Sequence, residues 1–202
     1  DLHTAYRRQR HMCIRDRMER ACPIERAILA GDKKSGVCVM EVGEEFDVGG
    51  VFARQEVAIL ERDTTDSLRK RLIDAGCTLL VSVLDSGLGE PLPQKGEIVW
   101  AEKLTPEERE IKWELEAEVI DRLVRIGGAW TTFRGERFKI WASEPKMQEV
   151  QGKPGELIED QVATGKGVLT LLEVQSQNRA RQSFKSWQLG ARLDKNCVFG
   201  DD

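Results

Sequence analysis

The chain has 202 residues, 33% charged and 40% hydrophobic, with 31 Lys+Arg against 35 Asp+Glu and a formal net charge of -4. That is apolar material for one large core or two small ones, yet no stretch reaches the roughly 18 uninterrupted apolar residues of a membrane span, and the N-terminus lacks the apolar region of a secretory signal. Five scattered cysteines (Cys13, Cys22, Cys38, Cys77, Cys197) without a Cys-x-x-Cys pair argue against a disulfide framework and against a zinc site, so reduced thiols and a cytoplasmic location are expected.

Residues 1–20 differ in charge and pattern from the rest of the chain. They hold six Arg against Asp1, Asp16 and Glu19, leaving 25 Lys+Arg against 32 Asp+Glu in the remainder, and they contain both histidines, His3 and His11. One reading is a basic arm that grips nucleic acid; the preferred one is a foreign or disordered leader, because residues 1–17 show neither helical nor strand period. Residues 21–202 then lack histidine, so a Ser-His-Asp triad and imidazole ligation of a metal are not available there, and no metal is expected.

Pro23 suits the first position of a short helix, with Ile24, Ala27 and Ile28 at helical spacing until Gly31-Asp32 stops it. Gly36 to Val42, rich in β-branched and apolar residues, reads as a buried strand of a mixed α/β sheet. Glu44 to Gly50 reads as a loop and Gln55 to Leu60 as another strand. Thr64 or Thr65 can cap a helix with Leu68, Leu72, Leu79, Leu80, Val83 and Leu84 on one face, interrupted by Gly76.

The glycines and prolines between Gly87 and Gly96 predict a linker from about residue 90. Thr105-Pro106-Glu107-Glu108 combines an N-cap, an early proline and a capping-box Glu, opening a short helix. A second helix carries Leu115, Val119 and Leu123 on one row with Ile120 and Val124 beside it. After Gly127-Gly128 the period becomes alternating: Trp130 to Phe133, a turn at Arg134-Gly135, then Phe138 and Ile140 between Arg137, Lys139 and Trp141 predict a hairpin. Glu156 to Ile158, Gln161 to Ala163 and Val168 to Val174 add short strands. Thr164-Gly165-Lys166-Gly167 has the look of a phosphate-loop fragment, but no Gly stands at position 160 and Gly167 replaces the Ser or Thr, so it reads as a hairpin turn. Several short strands in this stretch suggest a small barrel.

The ordered series Pro23-Ile24, Ala27-Ile28, Gly31-Asp32, Gly36-Val37, Met40 and Phe46-Asp47-Val48-Gly49 resembles the second half of the formyltransferase domain of the methionyl-tRNA formyltransferase family. Ala101 to Leu104, Ile111-Lys112-Trp113, Arg122 to Arg125, Gly128 to Thr131, Val162 to Leu171, Val174-Gln175 and Trp187 to Arg192 continue the resemblance through the family's linker and C-terminal domain. The resemblance implies α/β plus β architecture: the C-terminal part of a Rossmann-like formyltransferase domain (21–92), a linker (93–110) and an OB-like β-barrel tRNA-binding domain (111–202). It implies transfer of a formyl group from 10-formyltetrahydrofolate to the amino group of initiator methionyl-tRNA, by a monomer with no membrane partner. Asp47 matches the family's catalytic Asp. The family's Asn and His lie upstream, in an Asn-x-His and a Ser-Leu-Leu-Pro loop that this sequence does not contain, so the chain alone is expected to be a poor catalyst.

On spacing alone Asp47 reads as a turn former, and the flanking resemblance reverses that preference. Arg179, Arg181, Lys185, Arg192 and Lys195 against Asp194 make 179–195 a basic segment suited to phosphates, with a solvated face as the plain alternative. Lys103 and Lys139 are further candidates for the tRNA backbone. Trp113, Trp130, Trp141 and Trp187 can stack on nucleotides, although core positions are the commoner use of such tryptophans. Two other functions stay open: an RNA-binding module only, and a related folate-dependent formyltransferase or hydrolase acting on another amine, such as an amino sugar, or on water.

Overall fold

The computed structural model describes residues 11–13, 22–42, 49–94, 101–148, 152–193 and 197–201. Asp47 lies outside them. The chain divides into two compact units, Asp1–Lys103 and Leu104–Asp202.

In the first unit, β1 (His11–Cys13), β2 (Lys34–Met40) and β3 (Val51–Ala58) form an antiparallel sheet in that order. Helix α1 (Pro23–Ala30) starts on proline and ends on Gly31, whose φ of 72° is the left-handed cap that a β-carbon would strain. Strand β2 is buried on both faces, Val37 and Val39 on one and Cys38 and Met40 on the other, as its unbroken apolar run predicts. Strand β3 begins earlier than its β-propensity suggested, at Val51, which exchanges backbone hydrogen bonds with Leu92 at 2.7 and 2.9 Å.

Helix α2 (Thr65–Asp85) packs on β2 and β3. Thr64 caps it reciprocally with Ser67: the Ser67 amide donates to Thr64 Oγ1 at 3.2 Å, and the Thr64 amide to Ser67 Oγ at 2.9 Å. Buried Asp63 accepts from the Leu60 amide and Ser67 Oγ and pairs with Arg71. The expected apolar face is only half used. Leu68 and Leu72 are fully buried, whereas Leu79, Leu80 and Val83 are half-buried and Leu84 is exposed. A helical period reports an apolar stripe, not the length over which something covers it.

In the second unit, Thr105 and Glu108 form the predicted capping box, but only one 3-10 turn comes after it, Glu107–Arg109. The Glu107 carboxyl is held below its usual range, first by a hydrogen bond from its own backbone N–H and then by the Thr105 side chain. Helix α3 (Ala117–Arg125) buries Ala117, Ile120, Asp121 and Val124. This corrects the expected row: Leu115 precedes the helix and is exposed, and Val119 and Leu123 are half-buried, because the helix turns Ile120 and Val124 toward the sheet.

Strands β4 (Trp130–Phe133), β5 (Glu136–Lys146), β6 (Leu157–Ile158), β7 (Gln161–Ala163), β8 (Val168–Ser176) and β9 (Gln182–Ser183) form one antiparallel sheet in the order β4-β5-β8-β7-β6, with β9 on β8. The β4–β5 hairpin turns on Arg134 and Gly135, both at positive φ (52° and 73°), the geometry whose twist matches paired strands. Helix α4 (Phe184–Gly190) comes directly after β9. Trp113, Phe138, Phe184, Trp187 and Phe199 are buried in the core, with Phe133 packed against it; Phe138 and Trp187 lie 4.8 Å apart between ring centroids.

No closed strand ladder is present among the described residues, so the barrel expected from the resemblance is seen as an open sheet with helices against it. The C-terminal segment reaches both of its ends. The Leu157 amide donates to the Cys197 carbonyl at 2.8 Å, the Phe199 amide to the Gly155 carbonyl at 2.8 Å, and the Gly200 amide to the Thr132 carbonyl at 2.9 Å.

Candidate nucleic-acid interface

Alternation along β5 sends Phe138 and Ile140 into the core and Arg137 and Lys139 to the other face. Direct pairing aligns Trp130 of β4, Lys139 of β5 and Gln175 of β8 in one cross-strand row, with Thr132 and Arg137 in the next. The register shifts between Ile140 and Ala142, an irregularity of the kind that re-aims a side chain. There Trp141 stays half-buried, and its Nε1 donates to Gln175 Oε1 at 2.9 Å.

Cations lie over the half-buried tryptophans of this face. The Arg137 guanidinium carbon is 4.0 Å from the Trp130 ring centroid, Arg181 is 5.1 Å from that of Trp141, and Lys139 Nζ is 5.8 Å from the same ring. A cleft of about 330 Å³ opens beside them, lined by Arg137, Lys139, Gln175, Ser176, Gln177 and Asn178. It has two cations and no carboxylate in its wall, so it favours an anion.

The structure brings together some of the expected residues. Lys139 and Arg181 share Trp141, and Gln175 ties Arg179 to the same group by donating to its backbone carbonyl at 2.8 Å. Lys185 stands in the first turn of α4 and Arg192 just beyond its end, where the Arg192 carbonyl accepts from Arg134 at 3.0 Å. Lys103 is exposed at the end of the first unit. Among the described residues Lys139, Arg179, Lys185 and Arg192 pair with no carboxylate, whereas Arg181 pairs with Glu173 and is partly neutralised.

The tryptophans divide. Trp113 and Trp187 are core, Trp113 donating to Thr131 Oγ1 at 3.1 Å. Trp130 and Trp141 are half-buried under cations. Arg137 was not among the sequence candidates, although its alternation with Phe138 and Ile140 placed it on the face of Lys139. The Thr164 to Gly167 segment is the expected β7–β8 turn: the Gly165 amide donates to the Trp113 carbonyl at 2.8 Å, so it is not free for a phosphate.

Among the described residues no three His, Cys, Asp or Glu side chains group to hold a metal, and no helix is long and apolar enough to cross a membrane. In the first unit, β2 buries Val37, Cys38, Val39 and Met40, and Ser35 Oγ is a buried polar atom without a hydrogen-bond partner. Among the described residues, this set of side chains does not by itself fit a folate.

Two family models match the chain: "Formyl transferase" over residues 17–84 and "Formyl transferase, C-terminal domain" over residues 103–192. The chain is 36% identical over 198 residues to a methionyl-tRNA formyltransferase of Ruegeria pomeroyi, covering 91% of this chain and 65% of the relative. Among solved structures, HypX from Aquifex aeolicus in complex with tetrahydrofolic acid superposes with a TM-score of 0.68 at 22% identity, over 90% of this chain and 35% of that one. A methionyl-tRNA formyltransferase from Clostridium thermocellum does so with a TM-score of 0.54 at 18% identity, over 69% of this chain and 63% of that one. Both structural likenesses speak to the fold alone.

Proposed function

This chain belongs to the formyltransferase family, and on that premise we propose that it serves formyl transfer to the amino group of initiator methionyl-tRNA, its second unit holding the tRNA. The chain spans 65% of the length of the Ruegeria relative, so the activity is proposed for the family protein whose sequence this chain shares. The observation that carries the reading is the outer face of β4, β5 and β8, where Lys139 and Arg137 stand beside half-buried tryptophans and meet no carboxylate in their cleft. Lys103, Arg179, Arg181, Lys185 and Arg192 add further backbone contacts in this proposal.

The donor proposed is a folate-type formyl carrier, 10-formyltetrahydrofolate. The described residues do not assemble its site. Asp47 is proposed as the acidic group of the reaction. As the amine attacks a carbonyl carbon its nitrogen must lose a proton, and a carboxylate in hydrogen-bond reach can take that proton or orient the group that does. The sheet of the second unit is proposed to be OB-like, a reading supported by the Cys197 to Gly200 segment that reaches from β6 to β4.

The test is acceptor choice. Binding of initiator methionyl-tRNA and of a nucleotide-linked amino sugar to the chain should be compared at equilibrium in 0.15 M salt. Tighter binding of the tRNA, weakening steeply as salt rises, is expected. Binding of the amino sugar with none of the tRNA would instead establish the rival acceptor.

A further inference from the structure

A surface that only tracks a duplex backbone needs exposed cations and nothing more, yet the cleft on β5 and β8 contains more than that. Its wall combines Arg137 and Lys139 with Gln177 and Asn178, two residues that carry side-chain amides. Arg137 is exposed, and the Trp130 ring lies 4.0 Å behind its guanidinium, holding that planar group against the indole. Its backbone is fixed as well, because the Arg137 amide donates to Gln177 Oε1 at 3.0 Å. Gln177 therefore presents its NH₂ group as a donor, and Asn178 sits at the tip of the turn with a φ of 57°. Lys139 pairs with no carboxylate among the described residues, and Trp141 lies 5.8 Å from its Nζ.

We propose that this cleft is a subsite for one unpaired nucleotide of the bound RNA. The base lies on the Arg137 guanidinium that Trp130 backs, its edge meets the amides of Gln177 and Asn178, and a flanking phosphate is held by Lys139. Splayed single-stranded bases are recognised by such planar platforms, whereas a duplex offers its phosphates but keeps its base faces stacked. The inference rests on the RNA reading under Proposed function and narrows it. It also separates Arg137 from Lys139 by role: Arg137 is needed for its plane and Lys139 for its charge.

The experiment uses the full chain, a labelled single-stranded RNA octamer, and a hairpin duplex of the same composition, with initiator tRNA as a third probe. The octamer is expected to bind more tightly than the duplex at 0.15 M salt. Arg137→Lys, which keeps the charge and loses the plane, is expected to weaken octamer binding roughly fivefold or more while leaving the salt slope unchanged. Lys139→Ala is expected to lower that slope by about 0.7, one single-strand phosphate contact. Gln177→Glu, which keeps the oxygen that accepts from Arg137 and places a carboxylate in the cleft, should weaken the octamer at least as much. Unfolding midpoints equal to that of the parent chain establish that the variants fold. Equal affinity for octamer and duplex, or an Arg137→Lys variant that binds as the parent does, overturns the subsite. If tRNA binding persists in that case, the RNA reading stands without it; if the parent chain binds none of the three probes, both fall.

Discussion

Ser143 of β5 and Asp121 of α3 meet inside the second unit: Ser143 Oγ donates to Asp121 Oδ1 at 2.9 Å, while Oδ2 accepts from Arg125 Nε at 2.9 Å. The Asp121 side chain is 3% exposed and that of Arg125 12%, so the carboxylate joins helix to sheet and neutralises a largely buried cation. Removing one partner of such a pair leaves the other charge desolvated. Asp121→Ala is expected to cost about 3 kcal/mol, read from the denaturant midpoint of tryptophan fluorescence. A cost below about 1 kcal/mol would show that water reaches Arg125 in its place.

Gly165 packs against backbone, and a β-carbon there would collide with the Glu114 carbonyl oxygen. Its amide also donates to the Trp113 and Leu115 carbonyls at 2.8 and 3.0 Å, so the segment cannot back away without losing those bonds. Gly165→Ala is expected to destabilise the second unit by about 2 kcal/mol or more. Gly135→Ala offers a contrast at an open turn, where only the positive φ of 73° opposes the side chain. Equal costs at the two positions would contradict the close approach.

Phe199 packs 5.2 Å from Phe133 and 5.3 Å from Phe138, between ring centroids, while its amide donates to the Gly155 carbonyl. Phe199→Ala removes a ring that is 2% exposed and is expected to cost about 3 to 5 kcal/mol. The loss should speed amide exchange at Leu157, whose donor bond to Cys197 belongs to the same segment. Unchanged exchange there would show that the C-terminal segment does not help hold β6.

In the first unit, Thr64→Ala removes the acceptor for the Ser67 amide at the start of α2. The expected cost is about 1 kcal/mol, seen as faster exchange in the first turn of that helix. No change in exchange would mean that the two hydrogen bonds of Ser67 Oγ that survive the substitution, from the residue-64 amide at 2.9 Å and to Asp63 Oδ1 at 2.8 Å, are enough to hold the turn.

What was legible in the sequence is what local chemistry decides. Pro23 and Gly31 bracket α1, Thr64 opens α2, and Arg134-Gly135 turns the hairpin. Tertiary partners decided the rest. Asp121 lies on the buried row of α3 because Ser143, 22 residues away, and Arg125 satisfy its oxygens, and no periodicity rule admits a carboxylate to such a row. The C-terminal half of α2 continues its apolar stripe although the described residues leave Leu84 exposed. The exposed cationic face was half legible: Arg137, Lys139 and Trp141 stand at alternating positions, yet which tryptophans join the core depends on strand pairing. The catalytic reading of Asp47 lies outside the described residues, and its resemblance remains what supports it.

The most direct test of where tRNA is held is covalent footprinting of lysines. The chain is acetylated briefly with and without saturating initiator methionyl-tRNA, and modification is read at each lysine by mass spectrometry. Binding of tRNA by the second unit requires that it suppress modification of Lys139 and Lys185 there and leave Lys70, exposed on α2, at its free rate. Equal modification of Lys139 with and without bound tRNA would contradict it.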